Sequence, residues 1–177
     1  MSMNKINIDG VLIVEGNNDV SYLSSFVNAL FFVTNGYDLN EKKIDLLQRA
    51  AKVNKLIIFT DPDEAGEKIK EKLKSCISPI FDTKIEKNYR KNTKKYGVAE
   101  LTKESVIKAL DPFTVKDPIE YERYDLVGLS SLKRNENIKS FIIEKYRLIG
   151  GNNKSIENQL NILRIKPCEV KELLSGN

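Results

Sequence analysis

Three features of the sequence predict an α/β fold in which helices flank a parallel sheet and a small all-α region follows. Short aliphatic runs are apolar at every position, apolar residues recur at helical spacing between them, and beyond residue 112 only helical patterns remain. A strand covered on both faces needs no polar side, so it reads as a continuous apolar run, as parallel sheets require. The resulting βαβαβαβ rhythm places helices on both sides of one sheet.

The first run, Val11–Val14, ends at Glu15-Gly16. From Asn18 the apolar residues Val20, Leu23, Val27 and Leu30 recur at helical spacing, with Asn18 or Asp19 as cap. A second run, Leu30–Val33, closes at Thr34-Asn35-Gly36, and Asn40 caps a helix with Ile44, Leu47 and Ala51 on one face. Leu56–Phe59 then leads into Thr60-Asp61, a helix runs from Glu64 to about Ser75, and an apolar fragment surrounds Ile80-Phe81. A polar loop from Thr83 to Val98 carries Lys84, Lys87, Arg90, Lys91, Lys94 and Lys95 beside Tyr89 and Tyr96. Thr102 caps the next helix, which reaches about Leu110.

Asp111-Pro112 and Asp117-Pro118 bracket a domain boundary, because a residue before proline avoids the helical region. The expected domains are residues 1–112 and 113–177. In the second, helical patterns end near Tyr146 and run from about Lys154 to Leu163 and from about Pro167 to Leu174.

Composition narrows the chemistry. The 177 residues are 41% hydrophobic and 31% charged, enough for a well-buried core. No stretch approaches the roughly 20 apolar residues of a membrane span, and Met1–Gly10 has no signal-peptide character. A cytoplasmic protein with neither a membrane nor a nucleotide cofactor is expected. Cys76 and Cys168 stand alone, without the paired spacing of thiolate metal sites. The chain has no histidine, which removes His-based triads, His-ligated zinc and the commonest general base. Catalysis must therefore use carboxylates, lysines, hydroxyls or a hard cation. The formal charge of +4 is compatible with a polyanionic partner.

In open parallel sheets, ligands bind beyond the carboxyl ends of the strands. Glu15 ends one buried run, Asp61 ends another and Asp63 follows, so the three carboxylates are expected at one edge, with Asp19 a helical turn beyond Glu15. Crowded carboxylates repel unless a cation neutralises them, and oxygen ligands suit magnesium or manganese.

Glu15-Gly16 after the first strand and Asp61-Pro62-Asp63 after a later one resemble the marks of a Toprim domain. Val11–Asp19, Thr34-Asn35-Gly36 and Thr60–Asp63 continued by Gly66-Glu67-Lys68-Ile69 are similar, more narrowly, to the bacterial ribonuclease M5 family. So are Asp125-Leu126-Val127-Gly128-Leu129, the helix to Tyr146, Arg147-Leu148-Ile149-Gly150 and the segment through Leu163. The chain departs from that family at Asn17 and Asn18, where a charged residue and a second aspartate are usual. It departs again at Ala99-Glu100-Leu101, where the family tends to show Glu-His-Ala.

The resemblance implies a Toprim catalytic domain over residues 1–112 and a small helical RNA-binding domain over 113–177. It implies magnesium-dependent endonucleolytic cleavage of double-helical RNA flanking mature 5S rRNA, with a 5S-binding ribosomal protein as partner. Asp61 and Asp63 would hold one or two magnesium ions, with manganese as a substitute and Asp19 as a further ligand. Glu15 would transfer a proton or bridge a metal, and Gly16, Asn35, Gly36, Gly66 and Glu67 would shape the site. The basic loop from Lys84 to Lys95 would face Lys133, Arg134, Lys139, Lys145 and Arg147 across the RNA. A Toprim nuclease or primase-like protein acting on DNA, an inactive RNA-binding protein and a phosphatase using the Asp-x-Asp pair are the alternatives.

Overall fold

The computed structural model describes residues 5–36, 39–84, 97–126 and 138–175. Strand β1 (Ile6–Val14) lies inside the sheet, with β2 (Val27–Val33) on one side and β3 (Leu56–Ile58) on the other, both parallel to it. The short β4 (Phe81–Asp82) continues the sheet in parallel beyond β3, giving the order β2-β1-β3-β4. β5 (Thr114–Val115) returns antiparallel onto the start of β1, at Asn7 and Ile8.

The continuous apolar run in β1 follows from this position. Val11 and Ile13 face one hydrophobic cluster, and Ile8, Leu12 and Val14 face another. β3 divides likewise: Leu56 and Ile58 join the first cluster, Ile57 the second. Gly10 lies close against the backbone of Lys55. A Cβ there would lie 2.7 Å from the Lys55 carbonyl oxygen, which accepts the Val11 N–H at 2.8 Å.

Helices α1 (Asn17–Leu23) and α4 (Lys103–Leu110) cover one face, burying Leu23, Val106 and Leu110. Helices α2 (Glu41–Ala50) and α3 (Glu64–Cys76) cover the other, burying Leu46, Leu47, Ile69 and Leu73. The caps are the side-chain oxygens that helix amino termini require: Asn40 accepts the Lys43 N–H at 3.1 Å and Thr102 the Ser105 N–H at 3.3 Å.

Three expectations are corrected. The helical spacing from Val20 to Leu30 does not produce one helix, since α1 stops at Leu23 and Val27 begins β2. β-branched and aromatic residues (Val27, Phe31, Phe32, Val33) and the ladder onto β1 outweigh the spacing. Nor is the first turn of α1 capped by Asn18 or by Asp19 as the leading residue. Gly16 is the cap, and Asp19 reaches back to accept its N–H at 2.9 Å. β1 also starts at Ile6, five residues before the aliphatic run begins at Val11.

After Pro112 the chain adds α5 (Ile138–Lys145), α6 (Asn153–Ile162) and α7 (Pro167–Ser175). Ile142, Ile156, Leu160 and Val170 belong to the same cluster as α2, α3 and one face of the sheet. Arg49 of α2 donates to the Tyr146 and Arg147 carbonyls at 2.9 and 2.8 Å, and Asn158 of α6 donates to the Phe31 carbonyl at 2.8 Å. Among the described residues no helix is long and apolar enough to cross a membrane.

Leu160→Ala is expected to cost about 2–5 kcal/mol, the range for truncating a buried leucine. Because Leu160 shares its cluster with the sheet, denaturant melts of this variant followed by circular dichroism should show the strands and the carboxyl-terminal helices destabilised together.

Candidate active site

The parallel register fixes the centre of the site. Pairing of Ile13 with Ile58, and the Phe59 N–H bonded to the Ile13 carbonyl at 2.8 Å, bring the ends of β1 and β3 out side by side. The next residues in each strand direction therefore meet, and Glu15 Oε1 accepts the Asp61 backbone N–H at 2.8 Å. Thr34 and Asn35, leaving β2, donate their N–H groups to the Val14 and Glu15 carbonyls. Asn35 (φ 54°) and Gly36 (φ 72°) then turn the chain through the left-handed region, which explains an asparagine and a glycine there.

Four acids surround this point. Glu15 and Asp61 are half-buried, and Asp19 is buried. Burial pushes the Glu15 carboxyl from its ordinary 4.5 up to about 7; the Asp61 N–H opposes this, and the charges of Asp61, Asp63 and Asp19 add to it. Burial likewise raises Asp61 to about 6; the Val98 N–H opposes this, and Asp19 and Asp63 add to it. Asp19 is raised by burial, against the N–H groups of Gly16 and Glu15. Asp63 caps α3, its Oδ1 accepting the Gly66 N–H at 2.9 Å, so that amide is engaged by the cap rather than open to phosphate.

The arrangement thus brings Glu15 and Asp61 into direct contact, with Asp19 and Asp63 close enough to shift both. Among the described residues no three acids or cysteines converge on a single ion position. The donor set nevertheless suits a hard divalent cation: all donors are carboxylate oxygens, and burial raises the Glu15, Asp19 and Asp61 carboxyls, a combination that a cation relieves.

Gly66 has no room for a side chain. A Cβ would lie 2.1 Å from the Asp61 carbonyl oxygen and 2.8 Å from Glu15 Oε1. Beside Asp63 opens a cleft of about 430 Å³ whose lining includes Thr60, Glu67, Lys70 and Thr83. Glu67 is exposed there and pairs with Lys70 at 2.8 Å, and Lys70 also reaches Asp82 at 3.4 Å.

Three contributors escaped the sequence reading. Val98 donates its N–H to Asp61 Oδ1 at 2.6 Å, and Gly97 lies against the same carboxylate. A backbone donor 37 residues away leaves no side-chain signature. The sequence places Lys70 only within a helix; its i,i+3 spacing from Glu67 is the available signal. Of the expected RNA contacts, Lys84, Lys145 and Arg147 are exposed and Lys139 is half-buried, with Arg147 3.3 Å from Asp45. Lys87, Arg90, Lys91, Lys94, Lys95, Lys133 and Arg134 lie outside the described residues.

Residues 10–101 match the Toprim domain family. The whole chain is similar to ribonuclease M5 of Mycoplasma pneumoniae, at 30% identity over 96% of this chain and 97% of that one. It is also similar to ribonuclease M5 of Mesoplasma florum, at 32% over 93% and 97%, and of Borreliella burgdorferi, at 29% over 95% and 94%. A small TOPRIM domain protein from Bacillus stearothermophilus shares the fold, with a TM-score of 0.50 at 20% identity over 59% of this chain and 85% of that one.

Gly66→Ala is expected to destabilise the protein by about 1–3 kcal/mol, because backbone must move to admit the methyl group. A thermal melt together with a cleavage assay checks this, and unchanged values in both would refute the close packing. The raised carboxyls give a second expectation. A carboxyl that holds its proton more tightly when folded favours folding at low pH, and that contribution is lost as pH rises from the ordinary 4.5 of Glu15 through about 7. Metal-free protein should therefore lose stability across that interval, and Glu15→Gln should flatten the loss, as read by melts against pH.

Proposed function

The chain belongs to the Toprim-domain ribonuclease M5 family and is an endoribonuclease of the Toprim type; from that premise we propose that it uses magnesium to hydrolyse double-helical RNA flanking the mature 5S sequence in its precursor. One observation carries the reading. The Glu15 carboxylate lies 2.8 Å from the Asp61 amide at the carboxyl edge of a parallel sheet, with Asp19 and Asp63 shifting both acids, inside the segment matched to the Toprim domain.

In this reading Asp61 and Asp63 would hold one or two magnesium ions, with manganese as a substitute and Asp19 as a further ligand. Held by these carboxylates, such a cation would supply charge neutralisation at the phosphate and activation of water. Glu15 would take the proton from water, return one to the departing ribose oxygen, or bridge a metal; burial holds its carboxyl up at about 7 in the metal-free protein, and a bound cation would draw it down. Gly16, Asn35, Gly36 and Gly66 fix the backbone around these acids, and Glu67 borders the cleft.

Lys84, Lys139, Lys145 and Arg147, with the basic positions outside the described residues, grip the phosphate backbones. A-form RNA is read through shape, phosphates and 2′-hydroxyls, which such side chains suit. Residues 1–112 carry the chemistry and 113–177 much of the grip, and a 5S-binding ribosomal protein presents the substrate. The cytoplasm is where that substrate is made.

Incubation of the protein with a 5S precursor transcript tests the reading. Cleavage is expected with magnesium and not in chelator. Asp61→Asn and Glu15→Gln should each slow cleavage by at least about 10²-fold while RNA binding, measured by anisotropy, is retained; equal loss of binding and cleavage would count against the assignment. Affinity should fall steeply with salt, and neutralising Lys145 and Arg147 together should reduce the slope of log affinity against log salt by about two.

A further inference from the structure

We propose that a groove on the β2 side of the carboxylate edge recognises ribose 2′-hydroxyls of the substrate strand through the side-chain amides of Asn17 and Asn35. The proposal rests on the nuclease reading and adds to it a basis for choosing RNA over DNA. The groove, about 390 Å³, is lined by β2, by residues just beyond the ends of β1 and β2, and by α6. Asn35 donates its backbone N–H to the Glu15 carbonyl at 3.0 Å, and Asn17 lies two residues beyond Glu15 in the first turn of α1. Both asparagines are therefore anchored beside the acid. Both are exposed, and among the described residues neither side chain has a hydrogen-bond partner.

The rest of the lining is mostly neutral. Asn158 of α6 donates Nδ2 to the Phe31 carbonyl at 2.8 Å, which leaves its Oδ1 to accept from a ligand. Gly150 (φ 103°) and Gly151 (φ 122°) border the groove in the left-handed region, so bare backbone lies there and a nucleic acid strand can come close. Among the described residues the only charged lining group is Lys43, whose ammonium donates to the Thr34 carbonyl at 2.9 Å. Recognition in the groove thus falls mainly to amides.

A side-chain amide both donates and accepts, as a 2′-hydroxyl does, whereas an ammonium only donates and a carboxylate only accepts. A phosphate, which only accepts, would call for cations instead. In A-form RNA the 2′-hydroxyls line a wide, shallow minor groove, where short amides at a protein surface reach them. A deoxyribose would leave these amides unmatched, and a site built around a hydroxyl discriminates against the analogue that lacks it. Asn17 is also a position where the family usually has a charged residue, so this contact belongs to the present chain.

The test uses the 5S precursor assembled with single 2′-deoxy nucleotides at successive positions in its double-helical flanks, with affinity read by anisotropy in chelator. The native protein is expected to bind about fivefold more weakly when a few adjacent positions are deoxy, the others being silent. In Asn17→Ala the ratio of ribose to deoxyribose affinity at one of those positions should fall to about one. In Asn35→Gly, which keeps the left-handed turn, it should do so at a neighbouring position, with thermal melts verifying that both variants fold. A native protein indifferent to every deoxy substitution overturns the proposal. So does a sensitivity that both variants retain, the result expected if the amides face only water or base edges. Incubation of the same RNAs with magnesium separates the two readings: cutting without any deoxy-sensitive position sinks the groove alone, and asparagine-dependent sensitivity without any cutting sinks the nuclease alone.

Discussion

A single hydrogen bond organises the candidate site: the Asp61 amide donating to the Glu15 carboxylate at 2.8 Å. It joins residues 46 apart in sequence, and it exists because β1 and β3 run in parallel and in register. In an antiparallel pair the two strand ends would lie at opposite edges of the sheet, and these acids would never meet. The bond also accounts for the crowding at Gly66, since α3 must start close against the Asp61 carbonyl for Asp63 to cap it.

Assembling four acids in a half-buried place opposes folding. The two hydrophobic clusters outweigh that opposition, and the backbone softens it: Asp61, Val98, Gly16 and Gly66 each donate an N–H to one of the four carboxylates. A carboxylate already engaged by a fixed amide loses little freedom when a cation approaches, so the site is largely ordered in advance. The left-handed turn at Asn35 and Gly36 contributes in the same way, carrying the chain away from β2 without blocking the edge.

Much of this was legible in the sequence, for physical reasons. The apolar runs at Val11–Val14 and Leu56–Phe59 read as strands buried on both faces, and in a parallel sheet the acids that end them emerge at one edge. Asn40 and Thr102 announced their helices because a side-chain oxygen at a cap is a local requirement. The extent of α1 was not legible. Helical spacing through Val27 and Leu30 is real, but parallel pairing with β1 decides the outcome, and pairing is not local. The Val98 amide on Asp61 was equally hidden, because any residue except proline can supply a backbone N–H. Lys70, by contrast, shows why a charge in a helical pattern cannot be dismissed as solvated until its neighbours are known.

The attachment of α5 bears on how the molecule can measure what it holds. Arg49 fastens the Tyr146 and Arg147 carbonyls to α2, and Ile142 lies in the cluster that also contains Val11 and Ile13. The cations at the end of α5 are thus joined to the carboxylate edge as the fixed jaw of a caliper is joined to its scale. Under the proposed function, selectivity would come from span: a helix of the wrong length or curvature would fail to reach both points, whatever its bases.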